Sequence, residues 1–142
     1  MANLKPLIRV RKHAIEQKQK YLAELYRQAE EQANEKRRLT EEFAHERKTI
    51  QEMGADMLGF FGAYAKAVDI RMEEIDAAIA RLENRIIVAQ DDMRQAYADL
   101  RRIEIVQENR DKQEAQARAK RESQELDEIG LDRFRAQQEE DA

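Results

Sequence analysis

The 142-residue sequence has no cysteine and no tryptophan, a single proline, one serine and two threonines. Without cysteine there can be no disulfide and no thiolate metal site, and a reducing cytoplasmic compartment is permitted. Ser123, Thr40 and Thr49 lie in no glycine-rich loop, so the chain lacks both a Walker lysine motif and a GxGxxG turn that would cradle phosphates. A serine triad needs a histidine beside an exposed nucleophile on a rigid turn, and Ser123 lies within a charged helical run. His13 and His45 are the only histidines. Glu42 and His45 have the Glu-x-x-His spacing of di-iron bundles, but such sites need two pairs, and the residue three before His13 is Val10. Phe43 takes the apolar seam position, which pushes that pair toward the flank of the seam or the outside. The expectation is no catalytic residue, no metal and no cofactor.

Long hydrophobic runs are also missing. At the N-terminus Lys5, Arg9 and Arg11 interrupt Leu4, Leu7, Ile8 and Val10, which breaks any signal-peptide core. The longest uncharged apolar stretch, Met57 to Ala65, falls short of the ~20 residues a spanning helix needs. The chain is expected to be neither secreted by that route nor inserted in a membrane. Aromatics make up 6%, too few to fill a thick core, yet 42% of residues are hydrophobic and 39% charged. That balance, with a mean hydropathy of -0.92, is the profile of a long helix or coiled coil.

Periodicity supports this. Steps of seven from Ile8 give Ile15, Leu22, Ala29, Lys36, Phe43, Ile50, Met57 and Tyr64, a strong stripe with one charge. The companion row, Arg11, Lys18, Leu25, Gln32, Leu39, Glu46, Met53 and Phe60, is half polar. Farther along, Val68, Ile75, Leu82, Ala89, Ala96 and Ile103 form one row, and Met72, Ile79, Ile86, Met93 and Leu100 the other. Beyond Ile103 the same rows turn polar, starting with Gln107, so the seam should stop there. Gly54, Gly59 and Gly62 separate the two periodic segments. The fold expected is all-α: one elongated domain, a long two-helix antiparallel coiled-coil hairpin. Its helix 1 runs over about residues 4–57, its turn over about 58–63 and its helix 2 over about 64–138.

With a fold axis near Gly59, Ile15 would face Ile103, leaving Leu4, Leu7, Ile8 and Val10 without apolar partners. Leu126, Ile129, Leu131 and Phe134 would overhang. The open end then reads either as frayed or as a docking end completed by a partner. Charge is uneven there: residues 1–20 carry six basic and one acidic side chain, residues 101–121 seven and four, residues 122–142 two and eight. The alternatives are a solvated face and electrostatic registration against a charged partner. Nucleic acid is not expected, because no stacking or base-reading element accompanies the basic residues. Phe60, Phe61 and Tyr64 cluster at the turn, where they either cap the seam or form an exposed aromatic anchor.

The opening Leu4-Lys-Pro-Leu-Ile-Arg-Val-Arg-Lys12, with Leu22-Ala-Glu-Leu25 after it, resembles the first helix of the flagellar FliJ proteins of type III export. Arg121-Glu-Ser-Gln-Glu-Leu-Asp-Glu-Ile129, with Arg133 and Phe134, is similar to the family's Leu-Asp-Glu signature. The resemblance covers nearly the whole chain and extends to the YscO-type proteins of virulence secretion. It implies a cytoplasmic stalk or adaptor, peripheral at the inner membrane, similar to the central stalk of rotary ATPases, which is not itself an enzyme. The open end, with Leu4, Leu7, Ile8, Arg11, Leu126, Asp127, Glu128 and Phe134, would enter a hexameric export ATPase. A face similar to Phe60, Tyr64, Ala67 and Arg71 would meet the cytoplasmic domain of the export gate, and export chaperones would be escorted. Arg71 departs from the family's pattern. A different reading is a coiled-coil scaffold that self-associates through its weak stripe, Arg11, Lys18, Gln32 and Glu46.

Overall fold

Gly54 is the point at which the chain reverses. Its φ is +102°, the only positive value among the described residues, in a region that side chains with a Cβ rarely enter. The structure is a computed structural model and describes residues 3–141. Helix α1 runs over Lys5–Met53, a single 3-10 turn over Ala55–Met57, and helix α2 over Leu58–Asp141. Gly54 takes the position after a helix end where glycine is favoured. No strand occurs among the described residues.

The turn therefore comes earlier than the expected 58–63, with α1 stopping at Met53 and α2 already helical at Leu58. Gly59 and Gly62 lie inside α2, where no heavy atom comes within 4 Å of an added Cβ. Glycine in a helix costs about 0.5–1 kcal/mol relative to alanine without breaking it, so neither ends the element.

Packing divides the chain into two units, residues 13–97 and the segments up to Lys12 and from Ala98 onward. In the first, the turn unit, the helices run antiparallel, as the bonds between them show. Lys18 Nζ meets Asp92 Oδ2 at 2.6 Å, Lys36 Nζ meets Asp76 Oδ1 at 2.6 Å, and Arg71 Nη2 meets Glu35 Oε1 at 2.5 Å. The residue numbers in these pairs sum to between 106 and 112 and those of the tyrosine–glutamine pairs described below to 116, which together place the axis near residue 56 instead of 59. Ile15, Leu25, Val68, Ile75 and Leu82 are buried, and Ile75 is fully enclosed. Each such side chain contributes about 2 kcal/mol through removal from water. The strong stripe stays inward through Ile50. Lys36, its one charged member, lays its stem along the seam and sends its ammonium out to Asp76.

The other flank of this unit is bridged by two matched pairs. Gln19 Nε2 donates to Tyr97 Oη, and Gln90 Nε2 donates to Tyr26 Oη, at 2.5 and 2.6 Å. Each helix supplies one tyrosine and one glutamine, and both pairs sum to 116. The second unit, containing both termini, has Leu100 and Gln107 as its buried side chains, with Leu4, Ile8 and Ile103 half-buried. From residue 111 to residue 141 every α2 residue is exposed.

Candidate functional site

At the start of α1 two free backbone donors are matched by side chains. The Leu4 N–H donates to Gln107 Oε1 at 2.9 Å, and the Lys5 N–H donates to Asn3 Oδ1 at 3.0 Å. Pro6 has no N–H to satisfy, which is why proline is tolerated in a first turn. Leu4 C=O then accepts the first helical bond, from Ile8 N–H at 2.9 Å. On α2, Gln107 is 9% exposed, and its own amide donates to Asp111 Oδ1 at 2.8 Å. A polar residue that the periodicity places outside the seam is thus its last member.

This register corrects the expectation for the N-terminal hydrophobes. One turn in from Leu4 is Ile8 and one turn back from Gln107 is Ile103, and Leu4, Ile8 and Ile103 are all half-buried. Leu4 and Ile8 are accordingly covered by α2. Leu7, Val10 and Arg11 are exposed. The segment expected to lack apolar partners is covered helix because the turn lies earlier than glycine spacing suggests, which shifts every facing position.

The remaining expected residues of that end, Leu126, Asp127, Glu128 and Phe134, are all exposed on α2, as are Ile129 and Leu131. They are not gathered with Leu4. At 1.5 Å per residue, Leu126 lies about 29 Å along α2 from Gln107 and Phe134 about 40 Å. The eight residues therefore fall in two places, at the start of α1 and far along α2.

At the turn, the aromatic cluster divides. Phe43 of α1 stacks on Phe61 at 5.5 Å between ring centroids and on Tyr64 at 6.2 Å. Phe61 and Tyr64 close the triangle at 6.3 Å. Phe60 points away and is 73% exposed, beside the exposed Met53, Met57 and Leu58. Capping and exposure, the two readings of this cluster, are thus taken by different rings. Phe60, Tyr64, Ala67 and Arg71 follow i, i+4, i+7, i+11 spacing and so share one face of α2. Along it Phe60 and Ala67 are open, Tyr64 is held in the aromatic stack, and Arg71 is tied to Glu35 and to Glu74 at 3.1 Å. Those two carboxylates hold the Arg71 guanidinium above its ordinary pKa.

A second ion-pair knot sits on α1. Arg27 reaches Glu24 at 2.6 Å one turn back and Glu31 one turn ahead. The hydrogen bond from Arg27, helped by one from Gln28, lowers the Glu24 carboxyl to about 2. No group of three or more histidine, cysteine or carboxylate side chains suited to a metal occurs among the described residues, and Glu42 and His45 are both exposed.

Sequence reasoning overlooked Gln107 and the exposure of Tyr21, Ile87 and Val88. For Gln107 no sequence signal existed, since its role depends on which helix start lies opposite. For the others one did. Ile86, Ile87, Val88 and Ala89 are four apolar residues in succession, and a two-row seam can take only the first and last.

No described helix is long and apolar enough to cross a membrane. No curated protein and no solved structure matches the chain. The model of the family described as Flagellar FliJ protein matches residues 1–139, a span that takes in both the capped start of α1 and the exposed Leu126–Phe134 stretch of α2. With two long antiparallel helices and a match over almost its full length, the chain belongs to the flagellar FliJ family.

Proposed function

We propose that this member of a non-enzymatic flagellar export family is the cytoplasmic stalk or adaptor that couples the hexameric export ATPase to the export gate. Catalysis belongs to the ATPase. The observation that carries this reading is the C-terminal stretch of α2, helical and exposed from residue 111 onward, with Leu126, Ile129, Leu131 and Phe134 uncovered among acidic residues. A helix with no partner of its own and large apolar side chains is suited to insertion into another protein. Asp127 and Glu128 add charges that a basic pore lining would register.

In the same reading Phe60 and Ala67, open on one face of α2 near the turn, meet the cytoplasmic domain of the gate, with Tyr64 and Arg71 framing them. Leu7 and Arg11 supplement the ATPase end, and Leu4 and Ile8 hold α1 in place. Escort of export chaperones would use surfaces outside these two. The chain would sit at the cytoplasmic face of the inner membrane through its partners.

The test is ATP hydrolysis by the purified cognate export ATPase with and without the chain. The protein alone hydrolyses nothing, raises the rate or assembly of the ATPase, and loses about tenfold in binding when Leu126 and Phe134 are both changed to alanine. Absence of any effect on the ATPase in the purified mixture would sink the proposal.

A further inference from the structure

The turn unit carries an open groove along one side, and its origin is visible in the residues. Lys18 and Gln32 of α1 stand at seam positions, whereas α2 keeps an apolar residue at every row position from Val68 to Ile103. Where α1 offers a polar side chain, the apolar edge of α2 is left uncovered. Beside Lys18 the result is a groove of about 550 Å³ with Tyr21, Val88 and Ala89 on its floor and Arg85, Asp91 and Asp92 around it. A smaller groove of about 290 Å³, with Gln32, Ala78, Arg81 and Leu82, meets it at Arg85. From Ala78 to Gln95 the two follow about 26 Å of α2, room for a helix of roughly four turns. Val88 is 69% exposed and Tyr21 54%.

The charges around the groove are ordered and incompletely neutralised. Among the described residues Arg81 and Arg85 form no ion pair, whereas Glu31 at the same end of the groove is paired with Arg27, Asp92 is paired with Lys18, and Asp91 accepts a 3.4 Å bond from Gln95. Along α2 the groove therefore reads basic at 81–85, then acidic at 91–92, with centres about 13 Å apart.

The chain itself contains a helix with the opposite order. In its exposed C-terminal stretch Leu126, Ile129 and Phe134 fall within an arc of about 140°. Glu125 and Asp127 flank that arc, and Arg133 follows about 10 Å farther on. Acid then base, on an apolar face, is the complement of base then acid around an apolar floor. We propose that the groove receives residues 122–135 of a second copy of this protein, parallel to α2, with Phe134 over Tyr21 and Val88 and Leu126 over Ala78 and Leu82. Glu125 and Asp127 lie toward Arg81 and Arg85, and Arg133 toward Asp91. The contact is between unlike surfaces of one continuous helix, so it joins copies head to tail, each giving its C-terminal stretch to the groove of the next. It covers Leu126 and Phe134, so a self-paired protein withholds these side chains from any other partner. The inference does not rest on the ATPase reading, and its test contains no ATPase.

The experiment is sedimentation equilibrium of the full chain over a range of concentrations at low and high salt. Association is expected to rise with concentration and to weaken at high salt. Val88→Glu in the groove and Phe134→Glu in the C-terminal helix should each weaken self-association by about tenfold or more, with the helical circular dichroism unchanged. Mixed together, these two variants should associate again, because one intact groove meets one intact helix. Arg85→Glu should likewise be rescued by mixing with Asp127→Arg. A wild-type chain monomeric at every concentration, variants that associate like the wild type, or a mixture that stays monomeric would each overturn the proposal.

Discussion

The backbone N–H of Leu4 and the side chain of Gln107, 103 positions apart in sequence, are joined by a 2.9 Å hydrogen bond that starts α1 from the side of α2. Helix starts leave free donors that are usually capped by a neighbouring side chain of the same segment. Here a glutamine from the other helix supplies the acceptor, and its burial ties the end of the seam to a single register.

Replacing Gln107 by leucine should therefore destabilise the start of α1 although leucine suits a seam. The Leu4 N–H loses its partner at a cost of about 1 kcal/mol, and amide exchange over residues 4–8 should accelerate while exchange near Ile75 stays unchanged. Gln107→Glu keeps an acceptor and should restore most of the protection. Hydrogen exchange followed by mass spectrometry resolves the two regions.

The aromatic triangle and the outward ring make a matched comparison. Phe43→Ala removes the ring that both Phe61 and Tyr64 stack on and should cost about 2 kcal/mol, a half-buried fraction of the usual core value. Phe60→Ala should change stability by less than about 0.5 kcal/mol. Urea denaturation of the two variants gives the difference directly.

Glycine substitutions should separate the true turn from the glycines beside it. Gly54→Ala forces a Cβ into positive φ and should destabilise by roughly 1–2 kcal/mol. Gly59→Ala and Gly62→Ala meet open space within α2 and should each stabilise by about 0.5–1 kcal/mol. Thermal midpoints would move in opposite directions for the two groups.

Glu24 should titrate with a midpoint of about 2 in the folded protein, lowered from 4.5 by Arg27 and then by Gln28. A depressed carboxyl pKa means that the folded state binds the proton less readily than the unfolded state. The contribution of this group is therefore complete above the unfolded value and is lost as pH falls from about 4.5 through about 2. Side-chain carboxyl shifts in an NMR titration would show it. In Arg27→Gln the midpoint should return toward the ordinary carboxylate range.

Much of this arrangement is legible without coordinates because it depends on local repetition. Val68, Ile75 and Leu82 recur every seventh residue and are all buried, and the predicted end of the seam near Ile103 falls one turn short of Gln107. The turn was harder to place. Three glycines stand within nine residues, and only one has to adopt positive φ. The other two are tolerated in α2 because their cost is small beside the packing of a long helix. Misplacing the reversal by about three residues shifts each facing pair, which is why Leu4 and Ile8 are expected to be bare and are instead half-buried.

By itself the sequence determined the helical class, the two apolar rows of α2, the polar interruptions of α1 and the absence of a seam in the C-terminal stretch. These follow from spacing along one helix, where neighbours three or four residues apart share a face whatever lies opposite. Only the tertiary structure decided which glycine turns the chain, that Gln107 caps Leu4, that Phe61 and Tyr64 stack on Phe43 while Phe60 stays outside, and that a groove opens beside Lys18. Each of these depends on the register between the helices, which is set by the sum of contacts along both and by no residue alone.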